Sequence, residues 1–255
     1  MVFAIDIGNT NIVIGCFEDK KIIFTERLST KKTATALEYA ISFKNVLELY
    51  NVDLDKIEGS IISSVVPEIT TIVNFAIAKI TGKDSVIVGP GVKTGLSIKV
   101  DNPAQLGSDL VVGAVAALAE YPVPMVVIDF GTATTITVIN NKNDLLGGMI
   151  LPGVRLSLKS LASGTSQLPE IALEPPKKFI GTNTVDCMKS GILYSTAYGI
   201  DGFIENIEKE LGEKVTIIAT GGLAKAIVPL CKNKIIVDDE LLLKGLMDIY
   251  NKNKS

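Results

Sequence analysis

A pattern of strands and turns occurs twice in this chain, and the repetition limits the folds that are open to it. A β-rich stretch over residues 2–5 leads into a loop that begins at Asp6, and strands at 12–17 and 22–24 follow. The order returns at residues 125–128, with Asp129 lying 123 residues after Asp6 and an Asp-x-Gly-[Asn/Thr] loop in each copy. A shared succession of strand, loop, strand, turn and strand is more specific than a shared triplet. We therefore expect a duplicated unit.

In each half of the chain, segments whose apolar residues recur at helical intervals follow the strands. In the first half, residues 34–49 and 68–80 have this spacing. In the second half, helical stretches are expected between residues 185 and 211, whereas the proline- and glycine-containing segment 152–176 is interpreted as irregular. Strands followed by helices in both halves predict two layered α/β domains.

Length and composition agree with two domains. The chain has 255 residues, of which 47% are hydrophobic and 21% are charged, so two modest domains can each bury a core. We place the boundary between an N-terminal domain at 1–118 and a C-terminal domain at 119–255. A ligand is expected in a cleft between the two.

Several classes of chemistry and location are excluded by residue counts. The sequence contains no histidine, which removes Ser-His-Asp and Cys-His catalysis and histidine–zinc sites. Its net charge of −3 supplies no overall field for nucleic acid or a membrane. Residues 1–6 do not resemble a secretory signal and the longest uncharged apolar run, 110–119, is too short to span a bilayer, so a cytoplasmic location is expected. The three cysteines are interpreted as reduced core thiols.

The loop after Asp6 has the chemistry of a phosphate site. Its glycine allows close backbone approach, its N–H groups and polar side chains can donate to phosphate oxygens, and Asp6 can hold a hydrated Mg²⁺. For one copy alone, a polar β-turn in which Asp6 bonds its own loop is the favoured explanation, but the second loop at Asp129 favours function. The predicted cofactor-binding residues here are Asp6, Ile7, Gly8, Asn9, Thr10, Asn11, Ile12 and Val13.

Asp109 precedes an alanine- and valine-rich helix and is expected in its first turn or at its cap. A cap is the simpler explanation. Because the chain has no histidine, Asp109 is also the candidate base for a substrate hydroxyl.

These motifs together resemble the type III pantothenate kinases of the ASKHA superfamily, which includes sugar kinases and actin. The matching blocks are Asp6-Ile7-Gly8-Asn9-Thr10, Asp129-Phe130-Gly131-Thr132-Ala133-Thr134, and the segments 147–153 and 161–169. The resemblance implies a duplicated ribonuclease H-like fold with two domains and a central nucleotide cleft. It also implies ATP-dependent phosphorylation of the primary hydroxyl of pantothenate to 4'-phosphopantothenate, the first step of coenzyme A biosynthesis.

The resemblance also assigns roles to single residues. It implies that Asp109 is the general base, that Thr132 contacts the nucleotide, and that Asp129 helps to bind a monovalent cation, K⁺ or NH₄⁺, in addition to the ATP and Mg²⁺ of the reaction. Thr184 matches a pantothenate contact made from the partner subunit, so a homodimer is expected. The implied substrate-binding set is Val100, Gly107, Ser108, Asp109, Leu110 and Thr184.

Two positions depart from the family pattern, because Leu110 stands where arginine is usual and Val100 where many members have tyrosine. Loss of an arginine removes a charge-assisted contact from a carboxylate-binding site. Two alternatives therefore stay open: an ASKHA kinase or phosphatase acting on another small hydroxylated substrate, and a non-catalytic nucleotide-binding regulator.

Overall fold

The computed structural model of the chain describes residues 1–19 and 21–254. The strands are β1 (Val2–Ile7), β2 (Asn11–Glu18), β3 (Lys21–Ser29), β4 (Gly59–Ser64), β5 (Val86–Ile87), β6 (Ser97–Ile98), β7 (Met125–Phe130), β8 (Ala133–Ile139), β9 (Asp144–Pro152), β10 (Thr216–Thr220) and β11 (Ile236–Val237). The α-helices are α1 (Ala36–Leu49), α2 (Pro67–Thr81), α3 (Ser108–Glu120), α4 (Val154–Gly164), α5 (Thr184–Leu211), α6 (Ala224–Ile227) and α7 (Leu241–Asn253).

The two sheets have the same strand order, which confirms the duplication that the motifs predict. The first sheet runs β3-β2-β1-β4-β5. The second, taken from its other end, contains β9-β8-β7-β10-β11, with β6 added beside β9. In the first sheet β1, β2 and β3 are antiparallel neighbours, and β4 and β5 run parallel to β1. In the second sheet β7, β8 and β9 are antiparallel neighbours, and β10 and β11 run parallel to β7. Each sheet thus begins with a meander and continues through helical crossovers.

Contacts divide the chain into two compact units. Unit 1 contains Met1–Leu96, Asp101–Ala119 and Glu240–Ser255, and unit 2 contains Ser97–Val100 and Glu120–Asp239. This division departs from the predicted boundary at 118/119 in two segments. The closing helix α7 belongs to unit 1 because it packs its apolar side against β1 and β4. The short strand β6 belongs to unit 2 because it pairs with β9.

In unit 1 the sheet is buried on both faces. Successive side chains of a strand point to opposite faces. Phe3 and Ile5 of β1 face the cluster that includes α1 and α2, whereas Val2 and Ala4 face the cluster that includes α3 and α7. The uninterrupted apolar stretch at the start of the chain is therefore that of a strand covered on both sides.

In unit 2 the side chains of Val126, Ile128 and Phe130 on β7 pack in one cluster with residues of α4, α5 and α6. The prediction of an irregular segment over 152–176 is wrong at α4, where Val154 and Leu158 lie one helical turn apart and are buried. Although α5 has 28 residues, no helix in the described part of the chain is long and apolar enough to cross a membrane.

The three cysteines are free thiols with different surroundings. Cys16 is buried and Cys231 is half-buried, and burial raises the pKa of Cys16 to about 11 and of Cys231 to about 12. Cys187 is exposed, so the prediction of a core thiol is wrong at this position.

Candidate functional site

The first loop of the predicted phosphate site is a hairpin turn between β1 and β2. The Gly8 N–H donates to the Asn11 carbonyl oxygen at 3.0 Å. From the end of β3, the Thr30 hydroxyl donates to the Gly8 carbonyl at 2.7 Å, and the Thr30 N–H donates to the Thr10 carbonyl at 3.0 Å. Asn9, Thr10 and Asn11 are exposed. The carbonyl groups of Gly8, Thr10 and Asn11 are thus bound by protein, while the polar side chains of the loop are exposed.

The apolar members of this predicted set lie differently from the polar ones. Ile7 and Ile12 are fully buried in the core of unit 1, and Val13 is half-buried. The buried side chains of Ile7 and Ile12 are closed to a nucleotide, and the Ile7 carbonyl oxygen accepts the Val65 N–H at 3.0 Å. Asp6 is 9% exposed at the carboxyl end of β1, where its position in the sheet pairs with Ser63 of β4.

Asp109 lies in the first turn of α3, as the sequence predicts. Its Oδ1 atom accepts the Leu110 N–H at 2.9 Å. Burial raises the pKa of this carboxyl, and hydrogen bonds from the backbone N–H groups of Leu110 and Asp109 itself lower it by less. A Cβ atom on Gly107 would lie 2.4 Å from Asp109 Oδ1. Glycine at 107 therefore makes room for the carboxylate in its observed position.

Ser108, which was predicted to contact substrate, directs its hydroxyl into the protein. The hydroxyl bonds to residues at the end of β4, namely the backbone of Ser64 and the side chain of Ser63. No role for Ser63 and Ser64 follows from the sequence motifs. The available signal was a pair of serines at the end of a short strand, after Ile61 and Ile62.

In unit 2, three backbone segments meet around Asp129. A Cβ atom on Gly221, whose φ is +91°, would lie 2.2 Å from Asp129 Oδ1, and one on Gly131 would lie 3.5 Å from it. A Cβ atom on Gly153 would lie 2.2 Å from the Thr132 carbonyl oxygen. Close backbone approach to the loop thus explains the glycines at 153 and 221.

The remaining predicted substrate residues are divided between the two units. Leu110 follows Asp109 in unit 1, whereas Val100 lies just after β6 in unit 2. Thr184 is the exposed first residue of α5, and the Asn183 side chain caps this helix by accepting the Asp186 N–H at 2.9 Å. Unit 1 therefore contains Asp6 and Asp109, and unit 2 contains Asp129, Thr132 and Thr184.

The donor atoms suit a magnesium ion that arrives with a nucleotide. Over residues 1–19 and 21–254, no group of three or more carboxylate or thiol side chains is placed to hold a metal ion. Mg²⁺ is commonly held by one or two carboxylates together with phosphate oxygens and waters, rather than by an all-protein cage. The nearly buried Asp6 carboxylate, beside a loop of exposed polar side chains, fits that requirement.

Comparison with known proteins agrees with these features. A family model described as type III pantothenate kinase matches residues 2–206. A type III pantothenate kinase from Halalkalibacterium halodurans is 41% identical over 253 residues, which cover 99% of this chain and 100% of that protein.

Two solved structures share the fold. Component A of the (R)-2-hydroxyglutaryl-CoA dehydratase of Acidaminococcus fermentans has a TM-score of 0.58 at 15% identity, with 99% of this chain and 98% of that one covered. A ROK hexokinase from Thermus thermophilus has a TM-score of 0.51 at 12% identity, with 99% of each chain covered. The duplicated ribonuclease H-like class of the actin-like ATPases is thereby confirmed.

Proposed function

The chain belongs to the type III pantothenate kinase family, and we propose that it transfers the terminal phosphoryl group of ATP to the primary hydroxyl of pantothenate with Asp109 as general base. The product is 4'-phosphopantothenate, and the reaction opens coenzyme A biosynthesis. The cytoplasm is the compartment that we propose for it, since all three cysteines are free thiols.

The position of the Asp109 carboxylate carries the assignment of the base. It is half-buried, its pKa is raised by burial, and Gly107 leaves space for it. A carboxylate with a raised pKa accepts a proton more readily than an ordinary one. Because the sequence has no histidine, a carboxylate is the natural group to take the hydroxyl proton as the phosphoryl group is transferred.

Asparagine at position 109 keeps the shape and removes the base. We expect Asp109→Asn to lower kcat with ATP and pantothenate by at least about 100-fold, while the protein stays folded by circular dichroism. Wild-type turnover in this variant would remove Asp109 from the role of base.

For ATP, we propose that the N–H groups and side chains of residues 9–11 donate to phosphate oxygens in unit 1, and that Thr132 contacts the nucleotide in unit 2. The exposed Asn9, Thr10 and Asn11 support this assignment. Asp6 would hold Mg²⁺, which supplies neutralising charge on the phosphate oxygens when it is bound. An Asp6→Asn variant is expected to need more Mg²⁺ for half-maximal rate, and an unchanged Mg²⁺ requirement would reject the assignment.

Asp129 is the residue that we propose for the monovalent cation. Its half-buried carboxylate lies close to the backbone at Gly221 and near that at Gly131, and backbone carbonyl and carboxylate oxygens are suitable ligands for a hard cation. We expect the rate in K⁺ or NH₄⁺ buffer to exceed the rate in Na⁺ buffer. Equal rates in the three buffers would reject a dependence on either cation.

We also propose a homodimer in which Thr184 of one subunit reaches the pantothenate of the other. An exposed apolar patch beside Thr184 supports this: Ile180 is 76% exposed and Phe179 is 56% exposed. We expect analytical ultracentrifugation to show a dimer that Ile180→Asp weakens. Leu49→Asp is the control, because Leu49 is 72% exposed on α1 of the other unit. A monomeric wild-type protein, or equal weakening by both variants, would contradict this dimer.

The two departures at Leu110 and Val100 keep an alternative acceptor worth testing. ADP release should be measured with pantothenate and with a panel of other hydroxylated acids and sugars. We expect pantothenate to give the highest kcat/KM. A higher value for another acceptor would favour a different ASKHA kinase, and ATP binding without ADP release would favour a nucleotide-binding regulator.

A further inference from the structure

The hydroxyl group of Ser108 makes three hydrogen bonds at the end of β4. It accepts the Ser64 N–H at 3.0 Å, donates to the Ser64 carbonyl oxygen at 3.0 Å, and lies 3.1 Å from the Ser63 hydroxyl oxygen. A serine hydroxyl has one hydrogen and two lone pairs. Since its hydrogen points to the Ser64 carbonyl, the Ser63 hydroxyl is the donor in the third contact.

This hydroxyl takes the place of a missing neighbour strand. The N–H and C=O groups of alternate β4 residues point toward β5, and the pairing of β4 with β5 ends at Ile62. Ser64 is the next residue whose backbone points that way, and Ser108 satisfies both of its groups. Without Ser108 these groups, together with the fully buried Ser63 hydroxyl, would lack these bonds.

β4 is in turn tied to the helix and strand on its other sides. The Ser64 hydroxyl accepts the Thr70 hydroxyl at 2.7 Å and the Val66 N–H at 3.1 Å, which holds the strand end to the first turns of α2. Ser63 pairs with Asp6 in the parallel register of β1 and β4. The start of α3 is thus joined to a strand end whose own position is set by β1 and α2.

We infer that Ser108 is a positioning residue: its hydroxyl seats the start of α3 on β4 and so places the Asp109 carboxylate for proton transfer. Asp109 accepts its hydrogen bond from the N–H of Leu110 on its own helix, so the carboxylate moves with the first turn of α3. The three bonds of Ser108, one residue earlier, join that turn to the strand beside Asp6. This inference rests on the proposed role of Asp109 as the base.

The test compares two serine-to-alanine changes that each remove a part-buried hydroxyl contact of β4. Ser108→Ala removes the bonds to Ser63 and Ser64. The matched control is Ser60→Ala, at a residue that is 2% exposed near the opposite end of the same strand. It removes a hydroxyl that lies 2.8 Å from the Ser85 hydroxyl. Both variants should be measured for melting temperature, kcat, KM for ATP and the pH dependence of kcat.

We expect Ser108→Ala to lower kcat by roughly 10- to 100-fold, because misplacing a reacting group by about 1 Å has effects of that size. KM for ATP should stay within about twofold, since binding contacts to the nucleotide are not removed. The acid limb of the pH profile should move to lower pH as Asp109 becomes more hydrated. Ser60→Ala should lose a similar amount of thermal stability and keep the kcat and pH profile of the wild type. Ser108→Thr, which retains a hydroxyl, should restore most of kcat.

The inference is overturned if Ser108→Ala loses no more kcat than Ser60→Ala, or if its kcat falls while the acid limb stays in place. Should Ser108→Ala fail to fold, Ser63→Ala removes one of the three bonds and leaves Ser108 on the Ser64 backbone. A smaller fall in kcat with a shift of the same sign is then expected, and an unchanged profile is contrary to the inference. Asp109→Asn is assayed beside these variants. If it keeps full turnover, the proposed base is wrong; if it alone loses turnover, only the role of Ser108 fails.

Discussion

The contact between α3 and α7 provides a sharp test of how the fold places Asp109. Gly245 lies within α7, and a Cβ atom there would be 2.1 Å from the Val112 carbonyl oxygen of α3 and 2.9 Å from its carbonyl carbon. A carbon–oxygen contact normally needs about 3.3–3.6 Å, so Gly245→Ala requires a separation of the two helices by roughly 1 Å or more. The obstacle is backbone, which cannot rotate away as a side chain would.

Two opposing effects set how much Gly245→Ala changes the free energy of unfolding. Alanine is favoured over glycine inside a helix by about 1 kcal/mol. Overpacking a close contact costs about 1–3 kcal/mol, and a backbone obstacle places this site at the upper end. The net loss is then about 2 kcal/mol, which lowers the melting temperature by roughly 4–8 °C in a chain of this size. Val112 lies three residues after Asp109, so we also expect kcat to fall by about 10-fold.

Gly202→Ala is the matched control, because Gly202 lies inside α5 and a Cβ atom there would meet nothing within 4 Å. The same chemical change should stabilise this helix by about 0.5–1 kcal/mol and leave kcat unchanged. Differential scanning calorimetry and steady-state kinetics of both variants are sufficient. This prediction is refuted if Gly245→Ala melts at or above the wild-type temperature, or if the melting temperatures of both variants shift in the same direction. Close backbone packing of α3 on α7 would then not determine the stability of this variant.

Three further predictions concern unit 2, the charge on Asp109 and the thiols. Gly221→Ala would place a Cβ atom 2.2 Å from Asp129 Oδ1 at a φ of +91°, so we expect urea denaturation to show a loss of about 2–4 kcal/mol and kinetics to show no K⁺ activation. Burial raises the pKa of Asp109 in the folded protein, so its ionised form lowers stability above that pKa. Asp109→Asn should therefore melt above the wild type at pH 7, and the difference should vanish as the pH falls below about 4; a constant difference would contradict the raised pKa. A thiol reagent at pH 8 should label Cys187 quickly and the buried Cys16 only after unfolding, and Cys187→Ser should abolish the fast phase.

Much of the fold could be predicted from local sequence patterns. The alternation of apolar and polar segments predicted the two meanders, and the matching loops at Asp6 and Asp129 predicted the duplication that the two sheets share. Helix α4 was missed because the glycines and prolines of the surrounding segment 152–176 outweighed a short apolar stripe at Val154 and Leu158. The assignment of α7 to unit 1 had no local signal, because an amphipathic helix can pack on any apolar sheet face.

At the candidate site, the sequence by itself determined which chemical groups are available. The absence of histidine left a carboxylate or a lysine as the candidate proton acceptor, and the glycines marked places where backbone would approach closely. Only the tertiary structure decided what those groups meet. Gly221 faces Asp129, Gly245 faces Val112, and the Ser108 hydroxyl faces β4 rather than solvent. These partners lie 44 to 133 residues apart in the chain. Contacts between residues so far apart in the sequence are formed by the packing of strands and helices, whereas local propensity acts over only a few residues.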